Sequence, residues 1–135
     1  QSLEWLSLRQ ISYKTLSKTL LYIFLGGGFG SIARYLVSKF SAAALGNGLP
    51  YGTLLANILA SLLLGYLTAK TFQAENIWKP MLAIGFCGGF STFSTFSNET
   101  FKLLQNAEYS TAMLNISLNL IVCLIAIWAG MILGK

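Results

Sequence analysis

Residues 85–99 constrain this chain more than any others. They read Gly85-Phe-Cys-Gly-Gly-Phe-Ser-Thr-Phe-Ser-Thr-Phe-Ser-Asn-Glu99, in the middle of an apolar stretch. The run is too rich in Gly, Ser and Thr for a lipid-facing helix. Its edges are too apolar for a surface loop. Irregular backbone at membrane depth survives only where protein or a water-filled cavity covers it, because lipid offers its N–H and C=O groups no partners. The segment is therefore expected to line something that passes through a membrane.

Composition supports the membrane class. Only 10% of the residues are charged, against about 25% in a soluble domain. Four apolar segments stand out, at residues 20–44, 52–72, 80–104 and 111–134. Each is long enough at about 1.5 Å per residue to cross roughly 30 Å of hydrocarbon. The connections between them carry breakers such as Gly46-Asn47-Gly48-Leu49-Pro50. Pro80 suits a first helical position, where its missing N–H costs nothing. The expectation is an all-α integral membrane protein with four transmembrane helices per subunit, the third broken near its middle. By length, residues 20–135 form one transmembrane domain, and any activity must sit within or between its helices.

Residues 1–19 differ. They combine Arg9, Lys14 and Lys18 with Trp5, Leu3, Leu6, Leu8 and Ile11. Either an amphipathic helix at the headgroups, anchored by Trp5, or a disordered tail fits this pattern. A cleaved signal peptide is not expected, because no compact apolar run precedes a small-residue cleavage site.

Several function classes drop out. The chain has no His, which removes imidazole metal sites, Ser-His-Asp hydrolysis and His proton relays. Gly26-Gly-Gly-Phe-Gly30 lacks the following Lys-Ser/Thr of a phosphate loop and lies in an apolar span, so ATP chemistry is not expected. The net charge of +5 is carried mostly at segment ends, where basic residues face lipid headgroups and not nucleic acid. Without the tail the two sides balance, Lys70, Lys79 and Lys135 against Arg34, Lys39 and Lys102. With the tail counted, the N-terminus should be cytoplasmic. Cys87 and Cys123 have no metal or redox spacing and read as small packing residues.

Small residues recur four apart: Gly26 with Gly30, Ala56 with Ala60, Ser61 with Gly65, Gly85 with Gly89. In lipid this spacing lets helix backbones approach closely, within or between subunits. A subunit this small can hardly enclose an aqueous path alone, so an oligomer is expected.

The polar residues inside the spans carry two readings each. Arg34 either snorkels to the interface or lines an electropositive vestibule that draws in anions. Asn57, alone among Leu55, Ala56, Ile58 and Leu59, is either helix glue or a pore-lining donor. Thr111, Asn115 and Asn119 fall on one face of the fourth span, as a hydrogen-bonding track or as packing polars, with Ser117 off the stripe. In the third span, Thr92, Ser94, Thr95 and Ser97 supply hydroxyls, and Phe93 and Phe96 share a helix side. A phenyl ring has a negative face and a positive edge. Ring edges aimed at a narrow path give an anion soft contact without holding it, the compromise that conduction requires.

Together these blocks resemble the small fluoride channels called Fluc or CrcB. The likeness covers most of residues 22–134 and rests on the Gly85–Glu99 run, on Gly26-Gly-Gly-Phe-Gly-Ser-Ile-Ala-Arg34-Tyr35, and on Gly52-Thr-Leu-Leu-Ala-Asn57-Ile-Leu-Ala-Ser-Leu-Leu-Leu-Gly65, in this order. The resemblance implies an antiparallel, dual-topology dimer with two pores that exports fluoride passively across the cell membrane, a bacterial inner or plasma membrane. It implies a structural Na⁺ at the dimer centre, held by the backbone carbonyls of Gly88 and Ser91. It makes Phe93 and Phe96 the pore phenylalanines, Asn57 the pore amide and Arg34 a vestibule residue. Thr95 and Ser97 then belong to the polar pathway, and Glu99 closes the motif. The chain departs from the family pattern at Ser91, where Thr is usual, and at Asn98, where Ser is commoner. Asn115 and Asn119 stand where hydroxyls are frequent. The longer basic tail leaves room for a paired, oppositely oriented homologous subunit.

Fluoride suits these residues physically. It is small and strongly hydrated, so a site selecting it would be narrow, dense in donors and free of a deep fixed cation. A small multidrug-type proton-coupled antiporter is the alternative with similar size and pairing. It would need an acid in its first span, where this chain has Arg34 and none. A purely structural subunit would need packing motifs but no aligned polar track.

Overall fold

The computed structural model describes residues 13–46, 48–70 and 77–135. The expectations for residues 1–12 lie outside the described residues. Helix α1 spans Tyr13–Leu45 and α2 spans Tyr51–Ala69. A π-helical stretch, Lys79–Phe86, runs into the short α3, Cys87–Phe90. Helix α4 spans Phe93–Gln105 and α5 spans Tyr109–Leu133. The described elements are all helical. Residues 13–19 are the opening turns of α1, with no break between them and the apolar body of that helix.

Among the described residues, three helices are long and apolar enough to cross a bilayer: Thr15–Leu45 within α1, then α2 and α5. Residues 80–104 are not one helix. They are divided between the π-helical stretch, α3 and α4, with Ser91 and Thr92 in extended conformation between Phe90 and Phe93. The thirteen residues of α4 rise only about 20 Å.

The helices pack through their small residues, within the chain. A Cβ on Gly26 or Gly30 would strike the carbonyls of Met81 and Phe86, and one on Gly89 would strike the carbonyl of Gly27. This seats α1 directly on the π-helical stretch and α3. The same exchange joins α2 to α5, where Gly65 meets the Ile127 carbonyl and Gly130 meets that of Leu62. Backbone approach of this kind is what lipid-embedded helices use when no hydrophobic force separates side chain from solvent. Ala56, Ala60 and Phe90 form the buried core, with Ala33, Val37 and Phe86 against it.

The outer surface is apolar. Phe24, Phe29 and Phe40 on α1, and Leu124 and Trp128 on α5, are each about two-thirds exposed or more. Helices apolar on their outward faces belong in hydrocarbon. The turn from α4 to α5 is tight: Ala107 takes a left-handed φ of 60°, and the Glu108 N–H returns to the Leu103 carbonyl at 2.9 Å.

Candidate functional site

The break after α3 exists because its hydrogen bonds go elsewhere. In a continuous helix the Thr92 N–H would donate to Gly88 and the Thr95 N–H to Ser91. Instead the Thr92 N–H donates to Asn57 Oδ1 at 2.8 Å, and the Thr95 N–H donates to Thr92 Oγ1 at 3.2 Å, capping α4. Ser91 turns back on α3, its N–H and its hydroxyl both reaching the Cys87 carbonyl, at 2.9 and 2.8 Å. Two donors are thus diverted from the ladder, so the carbonyls of Gly88 and Ser91 are released from it.

From the break a chain of side-chain bonds runs in one direction. Asn57 Nδ2 donates to Asn119 Oδ1 at 3.0 Å. Asn119 Nδ2 donates to the side-chain and main-chain oxygens of Asn115, both at 3.0 Å. Asn115 Nδ2 donates to Thr100 Oγ1 at 2.9 Å, and the Thr100 hydroxyl donates to the Phe96 carbonyl at 2.8 Å. A backbone donor at Thr92 and a backbone acceptor at Phe96 fix the two ends. Every amide in between therefore has one allowed orientation.

The polar stripe of α5 faces inward. Asn115 is completely enclosed and Asn119 nearly so, while Thr111 is half-buried and Ser117 is exposed. The two phenylalanines differ. Their ring centroids lie 5.6 Å apart at 49°, yet Phe93 is 78% exposed and Phe96 only 9%. They open onto a groove of about 430 Å³ between α4 and α5, with Thr100, Phe101, Ile116 and Leu120 in its walls. Thr95 accepts from the Thr92 hydroxyl at 3.0 Å, and the exposed Ser97 hydroxyl returns to the Phe93 carbonyl at 2.9 Å.

Other candidate residues sit apart from this chain. Arg34 Nε donates to the Gly89 carbonyl at 3.1 Å, tying α1 to the end of α3. Glu99 accepts from the Thr53 hydroxyl at 2.8 Å, and its other oxygen is buried without a hydrogen-bond partner. Glu99 and Thr53 border a cavity of about 270 Å³ with Ser38, Tyr51 and Lys102, at the end of the bundle where α1 stops and α2 starts. Gly88 and Ser91 line a third, smaller cavity of about 160 Å³ with Ala60, Ser61 and Cys87. Nothing lies within 4 Å of the point where a Cβ on Gly88 would stand. Among the described residues no cluster of His, Cys, Asp or Glu could hold a metal ion. Oxygen donors from the broken backbone suit only a hard cation.

Sequence reasoning passed over Thr53, Thr92 as a cap, and Thr100. Thr53 had a signal, standing four residues before Asn57 on the same face of α2. Thr100 had none, since a lone Thr in a helix ordinarily bonds its own preceding turn.

Comparison with known proteins adds the following. Residues 21–131 match the family model described as CrcB-like protein, Camphor Resistance (CrcB). A fluoride-specific ion channel of Pyrococcus abyssi is 43% identical over 121 residues, 87% of this chain and 97% of that protein. A fluoride-specific ion channel of Coxiella burnetii is 41% identical over 120 residues, 86% of this chain and 97% of that protein. One of Shewanella amazonensis is 42% identical over 113 residues, 82% and 91% of the two chains.

Proposed function

The chain belongs to the CrcB family, and from that membership we propose how it works as a multi-pass membrane channel for fluoride. It is a channel and not an enzyme, and it conducts fluoride down the ion's electrochemical gradient. The antiporter alternative has no support: the relatives are ion channels, and α1 carries no acid. The observation that carries the mechanism is the capture of the Thr92 N–H by Asn57, which places an amide, hydroxyls and two phenyl rings around one helix start.

The π-helical stretch, α3 and α4 together make a further crossing, broken at mid-depth, beside α1, α2 and α5. Irregular backbone there is tolerated because its polar groups are met by Asn57, Thr92 and Arg34. Asn57 uses one of its two N–H groups on Asn119, and the second is the donor offered to the ion. The hydroxyls of Thr95 and Ser97 and the edges of Phe93 and Phe96 replace the water that fluoride sheds, each contact weak enough to release it. Asn119 holds Asn57 in place. Arg34 supplies positive potential on the approach to the break, and Glu99 lies toward the end of the bundle where α1 stops, in a cavity shared with Ser38 and Lys102.

A protomer with Phe93 this exposed, and with an open groove beside it, needs a second surface to close the path. An antiparallel copy of the same chain, or a paired homologous subunit, supplies it. Gly88 and Ser91, whose carbonyls the break releases, line one cavity, and carbonyl oxygens are ligands that suit Na⁺. Two protomers related by a two-fold axis would present four such carbonyls, and the bound ion would pin the break and the dimer together.

Expression in cells lacking their own fluoride exporter tests the function. Growth in millimolar fluoride should be restored by the wild type and not by Asn57→Asp; no rescue by well-expressed wild type would reject the channel.

A further inference from the structure

Thr100 reaches the wall of the groove while remaining buried, and Asn115 lies outside its lining. Asn115 is fully enclosed and Thr100 is buried. Yet they complete a closed circuit. The amide chain leaves the backbone at the Thr92 N–H, crosses α2 and α5, and returns to the backbone at the Phe96 carbonyl. Thr92 and Phe96 bracket the first turn of α4, and that turn carries Phe93 and Thr95 between them. One end of the turn is held from α2 and the other from α5. The Thr100 hydroxyl is the joint: it accepts from Asn115 Nδ2 at 2.9 Å while donating to Phe96 at 2.8 Å, which uses its proton and fixes its rotamer.

We propose that Thr100 and Asn115 are positioning residues for conduction: their buried hydroxyl–amide bond holds the first turn of α4, and with it Phe96, against α5. Asn115 acts on the ion through Thr100 and has no need to touch it. The reason is geometric. Phe96 is buried and lines the groove together with Thr100, Ile116 and Leu120, so a shift of the turn along α5 moves its ring edge. Without the lock the turn is tied at Thr92 alone and is free to pivot about that end. Val in place of Thr100 keeps the shape, removes the joint, and leaves the Asn115 amide buried without its acceptor.

The inference rests on the fluoride-channel reading, and the experiment separates the two. Purified wild type, Thr100→Val, Thr100→Ser and the double variant Thr100→Val/Asn115→Leu are fused into planar bilayers and their unitary fluoride currents compared. A positioning role moves the current through each channel. A loss of folded protein changes only how many channels are seen. The expected result is a unitary current reduced on the order of tenfold in Thr100→Val, since small misplacements of a working group carry costs of that size. Thr100→Ser, which keeps the hydroxyl, should stay within about twofold of the wild type, and the double variant should be no worse than Thr100→Val, because residues acting as one unit are not additive. Wild-type current with an unchanged Thr100→Val current, or equal loss in Thr100→Ser, would overturn the inference alone. No current from the wild type would overturn the channel reading and this inference with it.

Discussion

The side-chain oxygen of Asn57 lies 2.8 Å from the Thr92 nitrogen and takes the proton that would otherwise extend the helix to Gly88. One amide on α2 thereby ends one helix, starts another and frees a carbonyl. Its nitrogen is then left to donate to Asn119. Asn57→Leu deprives both the Thr92 N–H and Asn119 Oδ1 of a partner. Unfolding in detergent should show a loss of about 1–3 kcal/mol. Asn57→Asp keeps the acceptor and removes the donor. It leaves Asn119 Oδ1 without its donor but keeps the Thr92 bond, so folded protein should still be recovered, with fluoride flux lower by about 100-fold, the cost of deleting an oriented donor at a site of charge. Wild-type flux in Asn57→Asp would show that the donor is irrelevant.

Phe93 and Phe96 separate stability from conduction. Phe93 makes little contact within its own protomer, so Phe93→Ile should change protomer stability by under about 0.5 kcal/mol. Phe96→Ile should cost about 1 kcal/mol, because the ring is packed against α5. Both should cut fluoride efflux from liposomes severalfold. Normal flux in both would remove the ring edges from the mechanism.

The glycine contacts predict sharp position dependence. Gly65→Val and Gly130→Val push side chains into the backbones of α5 and α2 and should prevent assembly of folded protein, read as aggregation on size exclusion. Gly28→Ala has open space around it and should be tolerated, with stability unchanged or slightly higher from helix propensity.

Arg34 should act mainly through its field. Arg34→Ala should lower fluoride flux severalfold at low ionic strength, and the deficit should shrink toward 1 M salt, where the screening length is about 3 Å. The sign follows from losing a positive charge at the approach of an anion. A deficit that is the same at both ionic strengths would assign Arg34 to its Gly89 bond alone.

A Na⁺ ion held by carbonyls should stabilise the assembled protein by mass action. Its Tm should rise with Na⁺ concentration when a large organic cation keeps ionic strength constant. Ser91→Ala should preserve that rise, because the ligand is backbone. A Tm indifferent to Na⁺ would remove the ion from the site.

Sequence reading reached the all-helical, membrane-spanning character and the close-packing glycines, because these depend on apolar length and on small residues four apart. Of the four apolar segments, 20–44 lies within α1, residues 52–69 of the second within α2, and residues 111–133 of the fourth within α5. The π-helical winding from Lys79 to Phe86 had no local signal; it arises where α1 and the backbone around Gly85 press together. The inward turn of Asn115 and Asn119 was not legible either. A stripe on a helix gives which residues share a face, and only the neighbours decide where that face points. The same limit hid Thr53 and Thr100, whose partners are 46 and 15 residues away.

The most direct measurement is fluoride efflux from liposomes holding the purified wild-type protein, followed with a fluoride electrode after valinomycin opens a potassium shunt. Fluoride should leave at a rate set by protein content while chloride, tested in parallel, stays inside. Retained fluoride, or fluoride and chloride leaving together, would contradict a fluoride-selective channel.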